Sequence, residues 1–281
     1  MGCQWEITIW DGLGLEKLDS LRLEIIKRSA DFDQTFSRFK KTSLVWQLAG
    51  QVGEFSVPVD FTRMLIWYDK FYVATAGKFN PLIGWSLSDL GYDANYSLRP
   101  KAKIRPTPAW PETVKILDST HIRLNAPALF DFGGLGKGYF ADKLADFLES
   151  QGIERFLVNG SGDIFYRSHS ESIRAGLEDP SDASRVLGVT ELTAGALCAS
   201  AANRRRWGNY HHIIDAQTLT SPTEIIASWV KAESTVVADG LATCLFLMPA
   251  EYLARHFKFA YCLLNADYKI KRSPDFVAEF Y

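Results

Sequence analysis

The sequence predicts an α+β fold. Strand-like alternation appears at both ends of the chain, apolar helical stripes lie between, and no regular strand–helix–strand rhythm of a parallel sheet runs through it. Cys3, Trp5, Ile7 and Ile9 alternate with Gln4, Glu6 and Thr8, the period of a half-buried strand. Leu15, Leu18, Leu21 and Ile25 then trace one face of a helix. Residues 31–50 read as a helix end and a loop, and a second helix is predicted near 60–75. Glycine and proline punctuate "AGKFNPLIGWSLSDLGYD", which reads as loop, and residues 99–112 hold four prolines, the best linker candidate. Strand patterns resume on both sides of it, so one domain over 1–281 is preferred.

A helix is predicted over 138–150, where Phe140, Leu144, Phe147 and Leu148 form a stripe. "RFLVNGSGDIFYRS" follows as strand, glycine turn and strand. Short strands are expected at Ile173 to Leu177 and at 187–200, and "YHHIIDAQTLTSP" reads as strand then turn. A long apolar helix spans 234–249 with Ser234 as its N-cap, and a hairpin turns around Asn265, Ala266 and Asp267. No internal repeat or low-complexity segment occurs.

The 281 residues are 47% hydrophobic, ample for a sizeable core. A net charge of −2 without any basic block argues against a nucleic-acid partner. Cys3, Cys198, Cys244 and Cys262 form no CxxC pair, so reduced thiols are expected. No run of about 18 apolar residues suggests a transmembrane helix, and no signal peptide or lipobox is seen. A cytoplasmic location is the expectation.

Three segments hold candidate chemistry. "DFGGLGKGYFAD", 131–142, looks like a phosphate loop but is neither a Walker loop nor a Rossmann fingerprint. Gly138 stands where a Walker loop needs Ser or Thr for Mg²⁺, and Tyr139 breaks the G-x-G-x-x-G spacing. What remains is a flexible turn at a helix start, where free N–H groups favour an anion. In "STVVADGLATCLFLM", Asp239 sits inside an otherwise apolar helix, with Thr243 four residues on. A buried carboxylate needs a partner. Two hard oxygens one turn apart suit Mg²⁺, while a Lys or Arg partner for the aspartate is the alternative. In "RRRWGNYHHIIDAQTLTSP", His212 and Asp215 are general acid/base candidates, with His211 a competitor. On an ideal strand they would face opposite sides, so they cooperate only if the strand ends near Ile214. Arg204, Arg205 and Arg206 either bind phosphate or form a solvated run. The glycines of "VNGSGDI" allow close backbone approach, with Asp163 as a hydroxyl-binding carboxylate.

Taken in order, these segments resemble the FAD:protein FMN transferase (ApbE, flavin transferase) family. "MGC" resembles its Met-Gly-Thr, "FSRFKKTS" its Phe-Ser-x-Tyr-x-x-x-Ser and "TAGKFNP" its Thr-x-Gly-x-Phe-Asp-Pro. "DFGGLGKGYFAD" resembles Asp-Leu-Gly-Gly-x-x-Lys-Gly-Tyr-x-x-Asp, and "VNGSGDI" resembles Asn-x-Gly-Gly-Asp. "HIIDAQT" resembles His-Ile-Ile-Asp-Pro-x-Thr-Gly, and "ADGLATCLFLM" the Ala-Asp-x-x-x-Thr helix. Departures include Phe39 for Tyr, Asn80 for Asp, Ala49 for Asn, Ser161 for Gly, and Ala216 and Leu219 for Pro and Gly; Ser221 looks inserted.

The resemblance implies largely antiparallel sheets packed with helices, in one large domain with FAD in a cleft. It implies Mg²⁺ held by Asp239, Thr243 and the carbonyl of Gly134. FAD would contact Met1, Phe39, Lys78, Phe79, Asn80, Asp131, Lys137 and His211. The implied reaction moves FMN from FAD to a Thr or Ser hydroxyl of a target flavoprotein and releases AMP, with His212 or Asp215 as base. A FAD pyrophosphatase using water, and a non-catalytic FAD-binding protein, are the alternatives. Retention of Lys137, His212, Asp215, Asp239 and Thr243 argues against the last.

Overall fold

The computed structural model describes residues 3–281. Its centre is a seven-stranded sheet of Trp5–Ile9, Phe156–Gly160, Asp163–Arg167, Gly195–Ala201, Ile225–Ala232, Ala260–Asn265 and Ile270–Arg272, in that spatial order. Every neighbouring pair is antiparallel. The α+β class with antiparallel sheets is therefore the observed one.

Strand alternation divides the core in two. Phe156, Val158, Ala196, Cys198, Val230 and Leu263 face two helices, Gly136–Ser150 and Thr235–Cys244. Tyr166, Leu197, Trp229, Cys262 and Leu264 face away, where Leu177, Leu192 and Phe276 pack onto them. Leu177 and Leu192 belong to a second sheet of Glu279–Phe280, Asp182–Leu192 and Ile173–Asp179. The same period of two puts Asp163 on the helix side with Phe165, whose ring packs against the helix-side core.

The helices Leu15–Phe36 and Val59–Ala74 form where expected, although Leu15 and Leu18 of the first stripe are exposed and Leu21, Phe32 and Phe36 are the buried residues. Elsewhere the structure departs from the sequence reading. The loop assigned to 31–50 contains a helix at Leu44–Leu48, capped by the Ser43 side chain. The punctuated segment before residue 93 contains another, Gly84–Asp89. Both are too short for a periodic stripe to show. A sheet of Gly53–Ser56, His121–Leu124 and Val114–Ile116 was not anticipated, because three- and four-residue strands give little alternation.

The strand expected at 187–200 is the end of one and the start of another, with Gly195 (φ 93°) opening the second. The "YHHIIDAQTLTSP" strand lasts only two residues, Tyr210–His211. The apolar helix ends at Cys244, and its chain then tightens into shorter-range bonds from Phe246 to Thr243 and from Leu247 to Cys244. The proline-rich segment is no free linker. Arg105 pairs with Asp89, and the Pro108 carbonyl accepts from Asn80.

The two helices over the sheet cap each other. Ser234 occupies the N-cap position of Thr235–Cys244, but its side chain makes no capping bond. The carboxylate of Asp142, on the partner helix, accepts from the N–H groups of Thr235 and Val236 at 2.8 Å each. In return Asp239 accepts from the N–H of Gly138 at 2.8 Å, near the start of Gly136–Ser150. Each helix start thus finds its acceptor on the other helix. Gly138 makes the approach possible, since a Cβ there would run into the Thr235 carbonyl. Gly138→Ala is expected to cost about 1–3 kcal/mol by overpacking. Urea unfolding of the variant checks this, and an unchanged midpoint would show that the helices have room to separate.

Candidate functional site

The glycine loop and the aspartate helix, a hundred residues apart in sequence, meet at Lys137. Its Nζ lies 3.0 Å from an oxygen of Asp239 and 3.0 Å from one of Asp163. Both carboxyl-bearing residues are about 1% exposed. The Lys137 side chain is half-buried, and the two acids hold it protonated, raising its pKa against the cost of its partial desolvation. Asp239 shares that one cation with Asp163. Burial, reinforced by the Asp163 charge, pushes its pKa up to about 7 against the pull of Lys137 and of the Gly138 N–H.

The remaining oxygens of the predicted metal set lie beside this pair. Thr243 Oγ1 is 3.4 Å from the carbonyl oxygen of Gly134 and 3.4 Å from Ser200 Oγ. Gly134 is fixed because a Cβ there would come within 2.5 Å of the Phe79 ring. A threonine hydroxyl, a main-chain carbonyl and a carboxylate are hard oxygen donors, the set Mg²⁺ takes. Asp239 already draws a cation, though that cation is Lys137. Of the two readings the sequence left open for this aspartate, the structure shows the lysine partner. Among the described residues no group of three or more His, Cys, Asp and Glu gathers as a metal cage. The donor set fits an ion that keeps water and substrate oxygens as its other ligands.

The glycine loop offers fewer free N–H groups than the sequence suggested. Gly133 donates to Asp131 at 2.9 Å, and Gly138 to Asp239. Asp131 also pairs with the buried Arg38. Phe39, the next residue, is half-buried, stacked on Tyr96 at 5.5 Å and covered by the Arg38 guanidinium at 4.4 Å. Arg38 was not singled out by sequence reasoning; its signal was its place within "FSRFKKTS".

Three of the predicted FAD contacts are engaged inside the protein. Phe79 is buried and stacked on Tyr68 at 5.2 Å. Asn80 is buried, donating to Pro108 and accepting from the Leu82 N–H. The His211 ring donates from Nε2 to the Pro222 carbonyl at 2.8 Å and accepts the Ile213 N–H on Nδ1 at 3.3 Å, which sets its tautomer. Lys78 bonds the Leu247 carbonyl at 3.1 Å and lies 3.8 Å from Asp215. Met1 lies outside the described residues.

The strand at Tyr210–His211 stops before His212, which frees His212 and Asp215 from strand geometry. Asp215 is buried and accepts from the N–H groups of Gln217 and Thr218 at 2.8 and 3.4 Å. His212 Nδ1 is buried with no partner. Burial lowers the His212 pKa to about 3, helped by the positive charges of Arg205 and Lys137 and opposed by Asp131. The arginine run is mostly spoken for: Arg204 pairs with Glu178 at 2.7 Å and Arg205 donates to the Tyr92 hydroxyl at 2.7 Å.

A family model described as "ApbE family" matches residues 1–261. The chain belongs to the ApbE family. A FAD:protein FMN transferase of Vibrio cholerae is 30% identical over 145 residues, which is 48% of this chain and 43% of that protein. One from Klebsiella pneumoniae is 28% identical over 144 residues, 46% of this chain and 40% of that protein. These two matches therefore span less than half the length of the relatives. A FAD:protein FMN transferase of Treponema pallidum is 24% identical over 255 residues, covering 78% of this chain and 68% of that protein. The solved flavin transferase ApbE from Vibrio cholerae superposes with a TM-score of 0.81 at 20% identity, covering 99% of this chain and 96% of that one. That likeness establishes a shared ApbE fold.

Neutral burial of His212 has a sign for stability. In the unfolded ApbE chain this histidine titrates at 6.5, and in the folded one near 3. Between those values the unfolded state binds a proton that the native state does not, so stability falls as pH drops. His212→Gln is expected to flatten that fall, by up to about 1.4 kcal/mol per pH unit. Chemical denaturation of both proteins from neutral pH to pH 4 measures it, and parallel curves would place the histidine in water.

Proposed function

We propose that the protein is a Mg²⁺-dependent FAD:protein FMN transferase, moving FMN from FAD to a Thr or Ser hydroxyl of a target flavoprotein and releasing AMP. One observation carries this reading. The glycine loop and the aspartate helix bring Gly134, Thr243, Lys137 and Asp239 together, and the histidine turn supplies a ring whose Nδ1 has no partner. The names of the curated relatives support it. The whole chain, 1–281, would act as one unit, since its glycine loop, histidine turn and aspartate helix come from separate parts of the sequence.

In this reading Asp239, Thr243 and the Gly134 carbonyl hold Mg²⁺. Bound there, the ion would neutralise charge on the pyrophosphate. Lys137 supplies a permanent positive charge to the same group. FAD would lie along Phe39, Lys78, Asp131 and Lys137, near the His211 main chain, with Phe79 and Asn80 shaping the wall from behind. The acceptor hydroxyl oxygen attacks the phosphorus on the FMN side, the bridging P–O bond breaks, and AMP leaves. His212 takes the hydroxyl proton. It suits that role better than Asp215, whose carboxylate is bound by two N–H groups and lies near Lys78. A neutral imidazole accepts a proton without first losing one.

Incubation with FAD, Mg²⁺ and a candidate acceptor flavoprotein tests the reading by in-gel flavin fluorescence and AMP release. AMP and free FMN without a labelled acceptor would favour hydrolysis. No AMP despite FAD binding would leave only a carrier. Asp239→Ala is expected to reduce Mg²⁺-dependent transfer to background, and retained turnover would sink the metal site. His212→Ala is expected to lower kcat about 10²–10⁴-fold, the usual contribution of a general base. A variant at full rate would remove His212 from the mechanism.

A further inference from the structure

We infer that Asp163 is a positioning residue, which retains Lys137 when Asp239 gives its oxygen to a divalent cation. The inference rests on the metal reading proposed above. Three observations carry it. Lys137 sits 3.0 Å from both Asp163 and Asp239, so the ammonium is shared. Both Asp239 oxygens are engaged: Oδ2 accepts the Gly138 N–H and Oδ1 accepts Lys137. Asp163 has a spare oxygen: its Oδ1 is buried without any partner, in a residue about 1% exposed.

The charges explain the arrangement. Two carboxylates and one ammonium leave the closed cluster one negative charge in excess. A divalent cation reverses that to one positive charge, the sign a pyrophosphate needs. For Asp239 to serve as a ligand, Lys137 must leave its Oδ1. Without Asp163, that step would leave the half-buried ammonium, 32% exposed at its side chain, without any carboxylate partner. With Asp163 in place, the lysine keeps one carboxylate within reach, and the vacant Oδ1 offers it a second acceptor. Lys137 then stays on the floor of the site, beside the loop that would hold the pyrophosphate. Asp163 thus acts on the metal through the lysine, not by contact.

The sheet fixes this residue where a loop carboxylate would drift. Asp163 begins the strand Asp163–Arg167 and pairs in register with Gly160 across the Ser161–Gly162 turn. Ser161 takes a left-handed φ of 58° in that turn, and the Asn159 side chain accepts the Gly162 N–H at 2.9 Å.

Binding of Mn²⁺, read as loss of the free-ion electron paramagnetic resonance signal, tests the inference on the whole protein without turnover. Asp163→Asn keeps the shape and removes the charge, leaving Lys137 to Asp239 alone. It is expected to weaken Mn²⁺ binding about tenfold, as loss of an outer partner of a metal ligand does. In a Lys137→Met background the same substitution is expected to change affinity by less than about twofold, the limit of additive behaviour. Unchanged Mn²⁺ affinity in Asp163→Asn overturns the inference. So does an equal tenfold loss in the Lys137→Met background, which would make Asp163 a source of field only. If Asp163→Asn fails to fold, Lys137→Met decides alone. With its competitor gone, Asp239 should bind Mn²⁺ more tightly, and weaker binding overturns the proposal. An unaltered protein that binds no Mn²⁺, with or without FAD, overturns the metal reading itself and the role of Asp163 with it.

Discussion

The ion triad of Asp163, Lys137 and Asp239 is the constraint on which the rest of the site depends. Two carboxylates buried between a sheet and two helices are costly to desolvate, and each is tolerable only while the half-buried Lys137 stays between them. That requirement fixes the distance between the helices Gly136–Ser150 and Thr235–Cys244 and the sheet strand that bears Asp163. It also explains the glycines. Gly138 lets the two helices touch through backbone, which brings its N–H onto Asp239. Gly134 lets the loop pass over Phe79 while its carbonyl turns toward Thr243.

The triad differs in kind from the histidine side of the site. At Lys137 charge is concentrated, and every member has a charged partner. At His212 burial and surrounding positive charge remove the proton and leave an unpartnered nitrogen. Asp215 and His211, by contrast, are bound to the backbone of the same segment. In the proposed reading the lysine side would serve an anion and a metal, and the neutral His212 would take the proton. A phosphoryl transfer to a hydroxyl needs both, and the FMN transferase reading draws on that combination.

Legibility varied with how local each cause was. The long helices were readable because an apolar stripe several turns long needs only one face of core. The helix at Leu44–Leu48 and the strands at Gly53–Ser56 and Val114–Ile116 were not, because so few residues carry no period. The oddity of Asp239 was legible, since a carboxylate in an apolar helix needs a partner somewhere. Which partner it takes was not, because Lys137 lies a hundred residues earlier and Asp163 between them. Asp142 was quoted as part of a motif, yet its role as the cap of the other helix has no sequence signal. A trans cap is defined by where two helices cross.

The sequence by itself determined the α+β class, the strand, glycine turn and strand that carry Asp163, and the one-turn spacing of Asp239 and Thr243. These follow from backbone periods of two and 3.6, which operate within a few residues. Only the tertiary structure decided that Lys137 stands between two aspartates, that the glycine-loop N–H of Gly138 is spent on Asp239, and that His212 is neutral while Asp215 is bound into its turn. Desolvation and Coulomb energy depend on distances between segments remote in sequence, and packing alone sets those distances.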